Sequence, residues 1–296
     1  MKNIHNGGFT MEDNQIGVIG SGTMGGAIAH QAAICGFEVV LVDVDQQFLD
    51  RAQARMEKLM DRSISKGKLT EDDKSAILSR IKLTTSMSDV RDCDAVIEAI
   101  IEDLDAKKDI FQQLDEILKP EALIASNTSS MSITELASST NRPEQVAGMH
   151  FFNPPQVMKL VEVIRGYKTS DETVSVFKEL AIAMKKEPIE VKKDVPGFIV
   201  NRIMIPQFIE AIRLVEEGVA TPEDIDKAVT LGLNYPMGPF TLQDYAGVDI
   251  GLHVMDYFYE EFKDQRFAAP LTLRNLVRAG RVGKKAGAGW YDYNDK

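Results

Sequence analysis

A glycine-rich stretch near the N-terminus, Gly20 to Gly25, constrains the fold of this chain more than any other part of its sequence. It fits the pattern G-x-G-x-x-G and follows Gln15–Ile19, a short apolar segment typical of a strand buried on both faces. The Ala-rich segment from Thr23 to Cys35 predicts a helix directly after it. Strand, turn and helix in this order predict a dinucleotide-binding unit whose helix N-terminus binds the phosphates. The expected cofactor contacts at this turn are Gly20, Gly22, Thr23, Met24 and Gly25.

An acidic residue follows the next predicted strand. Residues 37–42 are apolar apart from Glu38, and Asp43 comes directly after them, 18 residues beyond Gly25. A carboxylate there accepts hydrogen bonds from both ribose hydroxyls of an adenosine and repels a 2′-phosphate, so NAD is favoured over NADP. The alternative for Asp43 is a strand end without a ligand. The chain contains no G-x-x-x-x-G-K-[ST] motif, which excludes a P-loop.

The pattern of the remaining segments predicts two domains, for which 296 residues give room. Apolar strands alternate with helices as far as residue 191, which predicts a Rossmann-type, doubly wound α/β fold with a parallel sheet. Beyond a polar junction containing Pro196 and Gly197 the sequence is mostly helical, with single helices predicted over residues 198–217 and 241–262. We expect a disordered leader over 1–14, an NAD-binding domain over 15–194, and a smaller all-α domain for substrate binding and dimerisation over 195–296.

Charge and cysteine content exclude several classes of protein. The chain has 45 acidic and 34 basic residues and a net charge of −11, which disfavours nucleic acid as a partner. No apolar run approaches the roughly 18–20 residues that span a bilayer, so no membrane segment is expected. The cysteines, Cys35 and Cys93, show no disulfide or metal-ligand spacing. They fit a cytoplasmic protein, and no metal site is expected.

One histidine stands out as a candidate for proton transfer. Hydride transfer to or from nicotinamide needs a group that moves a proton at the alcohol or carbonyl oxygen, and histidine, with an ordinary pKa of about 6.5, is the usual choice. His5 lies in the leader, whereas His30 and His253 lie in predicted helices, where packing explains them. His150 lies near the end of a predicted strand, and polar residues at the carboxyl edge of such a sheet face the ligand.

Glu162 is the candidate partner of His150. It is the one acid in the predicted strand Leu160–Ile164, which is otherwise apolar. A carboxylate is costly to bury in such a strand unless it is paired. A neighbouring imidazole would satisfy it, and the carboxylate would hold that ring in one tautomer and stabilise it when protonated. The alternative is a glutamate on an exposed strand face.

Two further polar groups adjoin predicted elements. The run from Ala125 to Ser130 follows a predicted strand and brings hydroxyls and an amide to the same sheet edge. Its alternative is a polar loop in which Ser130 or Ser132 caps the next helix. Asn201 lies in the first turns of the helix that opens the second domain, from where it is expected to reach the ligand.

These stretches together resemble the L-3-hydroxyacyl-CoA dehydrogenase family, and within it the stand-alone bacterial 3-hydroxybutyryl-CoA dehydrogenases. The likeness covers essentially the whole chain from about residue 15, and the motifs are collectively specific. The matching stretches are residues 20–25, 96–99, 125–130, 150–154, 157–162, 196–202, 232–239 and 287–291.

The resemblance implies a role for four of the polar residues. It makes His150 the general base of alcohol oxidation and Glu162 its carboxylate partner. It implies that Ser129 and Asn201 hydrogen-bond the reacting oxygen and the thioester region of the substrate. Each role agrees with the chemistry expected of these residue types.

Cofactor and CoA contacts are also implied by the resemblance. Glu98 and Asn153 match positions that line the nicotinamide side of the cofactor, and Lys285 matches a basic residue near it. Lys66 matches a lysine that contacts CoA, whereas Leu59 stands where the family has a serine.

The expected activity is the NAD-dependent interconversion of short-chain L-3-hydroxyacyl-CoA and 3-ketoacyl-CoA, such as 3-hydroxybutyryl-CoA and acetoacetyl-CoA, by a homodimer. Two alternatives remain open. One is a dehydrogenase of a non-CoA hydroxy acid or sugar acid, and the other is a non-catalytic NAD-binding relative. The four polar residues count against the non-catalytic relative, which would not need to retain them.

Overall fold

A computed structural model describes residues 14–293 of the chain, so the predicted leader, apart from Asn14, lies outside the described residues. The chain divides into two units between Val195 and Pro196. Within residues 14–293, no helix is both long enough and apolar enough to cross a membrane.

The part of the first unit that the structure describes is built around an eight-stranded sheet in the order β3-β2-β1-β4-β5-β6-β7-β8. Its strands are β1 (Gln15–Ile19), β2 (Glu38–Val42), β3 (Ile81–Thr84), β4 (Ala95–Glu98), β5 (Leu123–Ser126), β6 (Val146–Phe151), β7 (Leu160–Ile164) and β8 (Glu187–Val191). Its helices are α1 (Thr23–Ile34), α2 (Gln46–Ile64), α3 (Glu71–Ser79), α4 (Leu104–Ile117), α5 (Ile133–Ala137) and α6 (Asp171–Ala183).

The predicted Rossmann-type α/β fold is confirmed, with one departure in the sheet. β1 runs parallel to both β2 and β4, and the strand order reverses there, at the point where doubly wound sheets bind nucleotides. β7 runs antiparallel to β6, so the prediction of a parallel sheet was wrong at this pair. Residues 152–159 join these two strands, and a parallel pair needs a crossover of about a dozen residues or more.

The sheet of the first unit is buried beneath its helices. Phe37, Leu41, Ile97 and Phe177 have no exposed surface and belong to one apolar cluster. Burying a side chain of this size contributes about 1.5–3 kcal/mol. The carboxyl ends of β1 to β6 therefore form a rigid edge on which polar residues can be positioned.

The second unit confirms the predicted all-α domain. Its helices are α7 (Val200–Glu216), α8 (Pro222–Gly232), α9 (Pro239–Ala246), α10 (Val248–Phe262) and α11 (Leu271–Arg278). They enclose a separate apolar core that includes Phe208, Ile212, Phe240, Phe258 and Phe267.

Glycines account for two differences between the predicted and the observed helices of the second unit. The single helix predicted over residues 241–262 is divided into α9 and α10 at Gly247, whose φ of 105° is incompatible with a continuous helix. α7 begins at Val200, two residues later than predicted, because Gly197 and Phe198 have φ values of 74° and 52°. A Cβ at Gly197 would lie 1.9 Å from Cζ of Phe258, so this position excludes any side chain.

Candidate active site

The turn between β1 and α1 has a geometry that requires glycine at two positions. Gly20 has a φ of 93°, and a Cβ there would lie 2.7 Å from the carbonyl oxygen of Ala99. A Cβ at Gly25 would lie 1.8 Å from the carbonyl oxygen of Gly20, because α1 packs directly on the turn. Gly22 differs, since a Cβ there would meet nothing within 4 Å. That open space suits the close approach of a pyrophosphate to the backbone.

The N-terminus of α1 is suited to bind that pyrophosphate. Gly22 is the N-cap and provides no side-chain capping bond, and the first turn contains no acidic residue. The backbone amides of Thr23 and Met24 in this turn have no intrahelical acceptor. Together with the positive end of the helix dipole they favour an anion. The residues present therefore fit the phosphates of NAD.

Asp43 lies beside the same turn. Its Oδ2 accepts hydrogen bonds from the amide and the hydroxyl of Ser21, at 2.6 and 2.7 Å, and its Oδ1 accepts one from the amide of Val44 at 2.7 Å. Each carboxylate oxygen has two lone pairs, so capacity remains on Oδ1 for one ribose hydroxyl. Sequence reasoning missed Arg55, which lies on α2. Its Nη2 donates hydrogen bonds to the carbonyl oxygens of Ser21 at 2.8 Å and Gly22 at 3.4 Å.

His150 and Glu162 are directly opposite each other on the antiparallel strands β6 and β7. Nδ1 of His150 lies 2.7 Å from Oε2 of Glu162, and the two residues are 6% and 1% exposed. An ionised carboxylate only accepts hydrogen bonds, so Nδ1 carries the proton and Nε2 is the basic nitrogen. β1 and β6 lie in the parallel part of the sheet, so this pair is at the same sheet edge as the glycine turn.

Two neighbours fix the end of β6. The amide oxygen of Asn127 accepts a hydrogen bond from the amide of Phe151 at 2.9 Å. The ring of Phe152 contacts that of His150, with centroids 4.6 Å apart and an interplanar angle of 51°. The imidazole is therefore held by a carboxylate through Nδ1 and by contact with a tilted aromatic ring.

Glu98, at the end of β4, is fully buried. Its Oε1 accepts from Nζ of Lys107 and from the amide of Ile100, both at 2.7 Å, and its Oε2 accepts from the hydroxyl of Ser126 at 2.6 Å. Because Glu98 has no exposed surface, a cofactor atom would reach this carboxylate only if the residues around it moved. The expected place of Glu98 beside the nicotinamide stays a prediction.

A second carboxylate, Glu102, supports the loop that carries Ser129. Its Oε2 lies 3.3 Å from Nζ of Lys107, and its Oε1 accepts from the hydroxyl of Thr128 at 2.5 Å and the amide of Ser129 at 3.1 Å. The side chain of Glu102 is 30% exposed, so it meets solvent where Glu98 does not. The loop of Ser129 is thereby tied through Glu102 and Lys107 to the buried end of β4.

Sequence reasoning missed both Lys107 and Glu102. Lys107 shares the buried face of α4 with Phe111 and Leu114, at positions i, i+4 and i+7. A lysine in the apolar face of an amphipathic helix is the signal that could have found it, because such a charge is costly to bury unless it is paired.

The other predicted residues are distributed over both units. Asn153 is exposed just after β6, and Lys66 is exposed just after α2. In the second unit, Asn201 is the second residue of α7, and Nζ of Lys285 lies 2.7 Å from Oδ2 of Asp249.

Comparison with known proteins identifies both units. Residues 15–195 match the family described as 3-hydroxyacyl-CoA dehydrogenase, NAD binding domain, and residues 197–293 match its C-terminal domain. The probable 3-hydroxybutyryl-CoA dehydrogenase of Deinococcus radiodurans is 49% identical over 279 residues, which are 94% of this chain and 100% of that protein. The 3-hydroxybutyryl-CoA dehydrogenase of Clostridioides difficile is 46% identical over 280 residues, covering 95% and 99%.

A solved structure agrees with these relatives. The (S)-3-hydroxybutyryl-CoA dehydrogenase PaaH1 from Ralstonia eutropha matches with a TM-score of 0.91 and 45% identity, over 95% of this chain and 99% of that one. The resemblance seen in the sequence, the NAD cofactor and the assignment as an oxidoreductase are thereby confirmed. This chain belongs to the 3-hydroxyacyl-CoA dehydrogenase family.

Proposed function

We propose that this protein interconverts 3-hydroxybutyryl-CoA and acetoacetyl-CoA with NAD, with His150 as general acid and base. The observation that carries the proposal is the 2.7 Å contact between Nδ1 of His150 and Oε2 of Glu162, at the sheet edge of the glycine turn. The names of the relatives supply the substrate class. The buried pair supplies the proton chemistry that the reaction needs.

His150 acts on the 3-hydroxyl group of the substrate. NAD, when bound, supplies the hydride acceptor of the oxidation and, as NADH, the hydride donor of the reduction. Nε2 of His150 takes the hydroxyl proton as the alcohol becomes a ketone, and the carboxylate of Glu162 stabilises the resulting imidazolium. In the reduction the same imidazolium returns the proton to the keto oxygen. Such proton transfer contributes about 10²–10⁴-fold to a rate.

Ser129 and Asn201 assist at the reacting oxygen and the thioester. A hydroxyl held by a fixed loop acts as a preorganised dipole, and the loop of Ser129 is held by Glu102 through a 3.1 Å bond to its amide. The role of Asn201 rests on its Val-Asn-Arg motif and on the family likeness. Asp43 hydrogen-bonds the adenosine ribose. The other proposed cofactor contacts are Asn153, Lys285 and Glu98.

CoA is recognised in part by Lys66. Its ammonium group is exposed just after α2 and suits a phosphate of CoA. Leu59 is exposed on α2 and has no hydroxyl to donate. Binding of the nucleotide end of CoA at this helix therefore relies on charge.

The active form is a homodimer that associates through the second unit. That unit exposes large apolar side chains, which association of two copies through it would bury. The exposed residues include Ile203, Val219, Leu231 and Leu233.

The protein is proposed to work in the cytoplasm. Cys35 and Cys93 are both buried and form no disulfide. Burial raises the pKa of the Cys93 thiol to about 12, so it remains an unreactive thiol. Free cysteines of this kind fit a reducing compartment.

The substrate is tested by following NADH absorbance with acetoacetyl-CoA and NADH, with free acetoacetate and NADH, and with gulonate and NAD. We expect NADH oxidation with acetoacetyl-CoA alone. Turnover of the free acids alone would replace the CoA proposal with a hydroxy-acid or sugar-acid dehydrogenase. Tight NADH binding without turnover of any of the three would indicate a non-catalytic relative.

A further inference from the structure

Lys186, which immediately precedes β8, is a buried lysine with an unusual set of partners. It is 6% exposed, and its Nζ donates to the carbonyl oxygens of Pro155 and Met158, the latter at 3.1 Å. Both partners are neutral. Burial lowers the pKa of its ammonium group, so the position is costly for this side chain. The burial of this ammonium group beside β8 has an energetic cost. We take that cost as an indication that the two carbonyl groups have to be held in place.

The two carbonyl groups belong to the loop of residues 152–159 that joins β6 to β7. Within it, the carbonyl oxygen of Pro154 accepts from the amides of Val157 at 2.9 Å and Met158 at 3.0 Å, which closes a tight turn. These internal bonds leave the carbonyl groups of Pro155 and Met158 for Lys186. The ammonium group therefore ties the turn to the residue that precedes β8.

The same loop is in contact with α1 on its other side. Nε2 of Gln156 lies 3.5 Å from the carbonyl oxygen of Ala27 and 3.5 Å from Nδ1 of His30. Because α1 begins at the glycine turn, the loop is held between the dinucleotide-binding helix and the start of β8.

The strands themselves do not depend on Lys186. β6 and β7 pair through their own ladder, which includes His150 opposite Glu162. The amide of Glu187 bonds the carbonyl oxygen of Lys159 at 2.8 Å where β8 meets β7. Lys186 adds bonds to the loop alone, and the loop carries the exposed Asn153.

We infer that Lys186 is a positioning residue for the cofactor: by holding the 152–159 loop it presents Asn153 to the nicotinamide half of NAD. The inference rests on the proposed function in taking Asn153 as a cofactor contact. It assigns to Lys186 no contact with NAD or substrate.

The test is the affinity for NADH, measured by fluorescence titration of the full chain. Lys186→Met removes both bonds and is expected to raise the Kd for NADH about tenfold. Lys186→Arg keeps donors for both carbonyl groups and is expected to restore affinity to within about twofold of the wild type. The matched control is Lys185→Met, the same substitution at the exposed neighbouring residue, which should leave the Kd unchanged.

A double-mutant cycle with Asn153→Ala separates positioning from a general loss of structure. If Lys186 acts through Asn153, Lys186→Met will weaken NADH binding little further in the Asn153→Ala background. Equal losses in both backgrounds, or a wild-type Kd in Lys186→Met, would overturn the inference. Should Lys186→Met fail to fold, Lys186→Gln, whose shorter side chain ends in a neutral amide, takes its place in the same cycle.

This experiment stands apart from the test of the substrate. NADH titration uses no acyl-CoA, so failure of the wild type to reduce acetoacetyl-CoA would refute the proposed substrate and leave these affinities interpretable. Conversely, a fully active wild type with no effect of Lys186→Met on NADH would refute only the role of Lys186.

Discussion

Each of the two units buries a carboxylate almost completely, and the two carboxylates have different partners. Glu162 in the first unit and Asp244 in the second are both 1% exposed. Glu162 faces the imidazole of His150 at 2.7 Å. Asp244 faces neutral donors, namely the amides of Trp290 at 2.8 Å and Tyr291 at 3.0 Å and the hydroxyl of Tyr293 at 3.0 Å.

Asp226 repeats the arrangement of Asp244 in the same unit. It accepts from the amides of Phe240 and Thr241 and from the hydroxyl of Tyr291 at 3.0 Å. Burial, reinforced by the bond to Asp226, raises the pKa of Tyr291, so its phenol remains a donor. Amides and phenols of this kind exchange no proton near neutral pH, whereas imidazole does. Burial of a carboxylate therefore does not by itself mark a reactive site; a partner that exchanges a proton near neutral pH does.

The largest expected effect is that of Glu162→Gln on turnover. The amide still accepts a hydrogen bond from Nδ1 of His150 but no longer stabilises the imidazolium, so kcat should fall about 10³-fold. The free energy of unfolding should fall by only about 1 kcal/mol, because the hydrogen bond is kept. Steady-state NADH oxidation with acetoacetyl-CoA and urea unfolding measure the two quantities. A kcat within tenfold of the wild type would remove Glu162 from the mechanism.

His30 is the buried histidine of the first unit that lacks a carboxylate partner. It is 2% exposed, its Nε2 has no partner among the described residues, and burial lowers its pKa from 6.5 to about 4. In the unfolded chain His30 is protonated below pH 6.5, whereas in the folded chain it stays neutral down to about pH 4. The unfolding free energy should therefore fall as the pH falls through this range, by about 3 kcal/mol in total.

The variant His30→Gln removes this pH dependence. Urea unfolding of both proteins at pH 7, 6, 5 and 4 should show the wild type losing about 3 kcal/mol more than the variant. Parallel profiles would show that His30 is protonated normally in the folded chain. In that case, the proposed contrast between His30, which has no carboxylate partner, and His150, which has one, would not hold.

Asp244→Asn probes the other side of the comparison. The amide that replaces one carboxylate oxygen meets hydrogen-bond donors, so the unfolding free energy should fall by about 2 kcal/mol. Turnover per folded molecule should stay close to wild type. Asp256→Asn is the control, because Asp256 is 42% exposed in its ion pair with Arg274 and such pairs contribute about 0–1 kcal/mol. A large loss of kcat in stably folded Asp244→Asn would break the comparison.

Asp43 lies between the two types of carboxylate, since it accepts from neutral donors yet remains partly exposed beside the glycine turn. Asp43→Ala should shift the ratio of NADPH to NADH affinity by about tenfold toward NADPH, because the charge that repels a 2′-phosphate is lost. Titration with both cofactors measures the shift. An unchanged ratio of NADPH to NADH affinity would show that Asp43 supports the turn and does not contact the ribose.

The sequence predicted those parts of the fold that depend on local patterns. The glycine turn and the apolar strands around it carry their own signals, because φ values and burial on both faces restrict the residue types. The antiparallel course of β7 was missed although residues 152–159 are too few for a parallel crossover, because the prediction used strand patterns and not the length of this connection. The break at Gly247 was missed because a single glycine is also tolerated inside a helix.

The candidate site divides in the same way. His150 and Glu162 were identifiable because each is a polar residue in an apolar strand. Lys186 and Arg55 were not, because each donates to backbone carbonyl groups far away in the sequence, and a carbonyl group is common to every residue. When a side chain donates to the backbone of a distant segment, the sequence of that segment carries no pattern that would indicate the contact.

The most direct measurement is a crystal structure of the protein with NAD and acetoacetyl-CoA. The account predicts the keto oxygen about 3 Å from Nε2 of His150, with Nδ1 still bonded to Glu162. A reacting oxygen beyond hydrogen-bonding reach of this ring, or a Glu162 carboxylate turned to another partner, would contradict it.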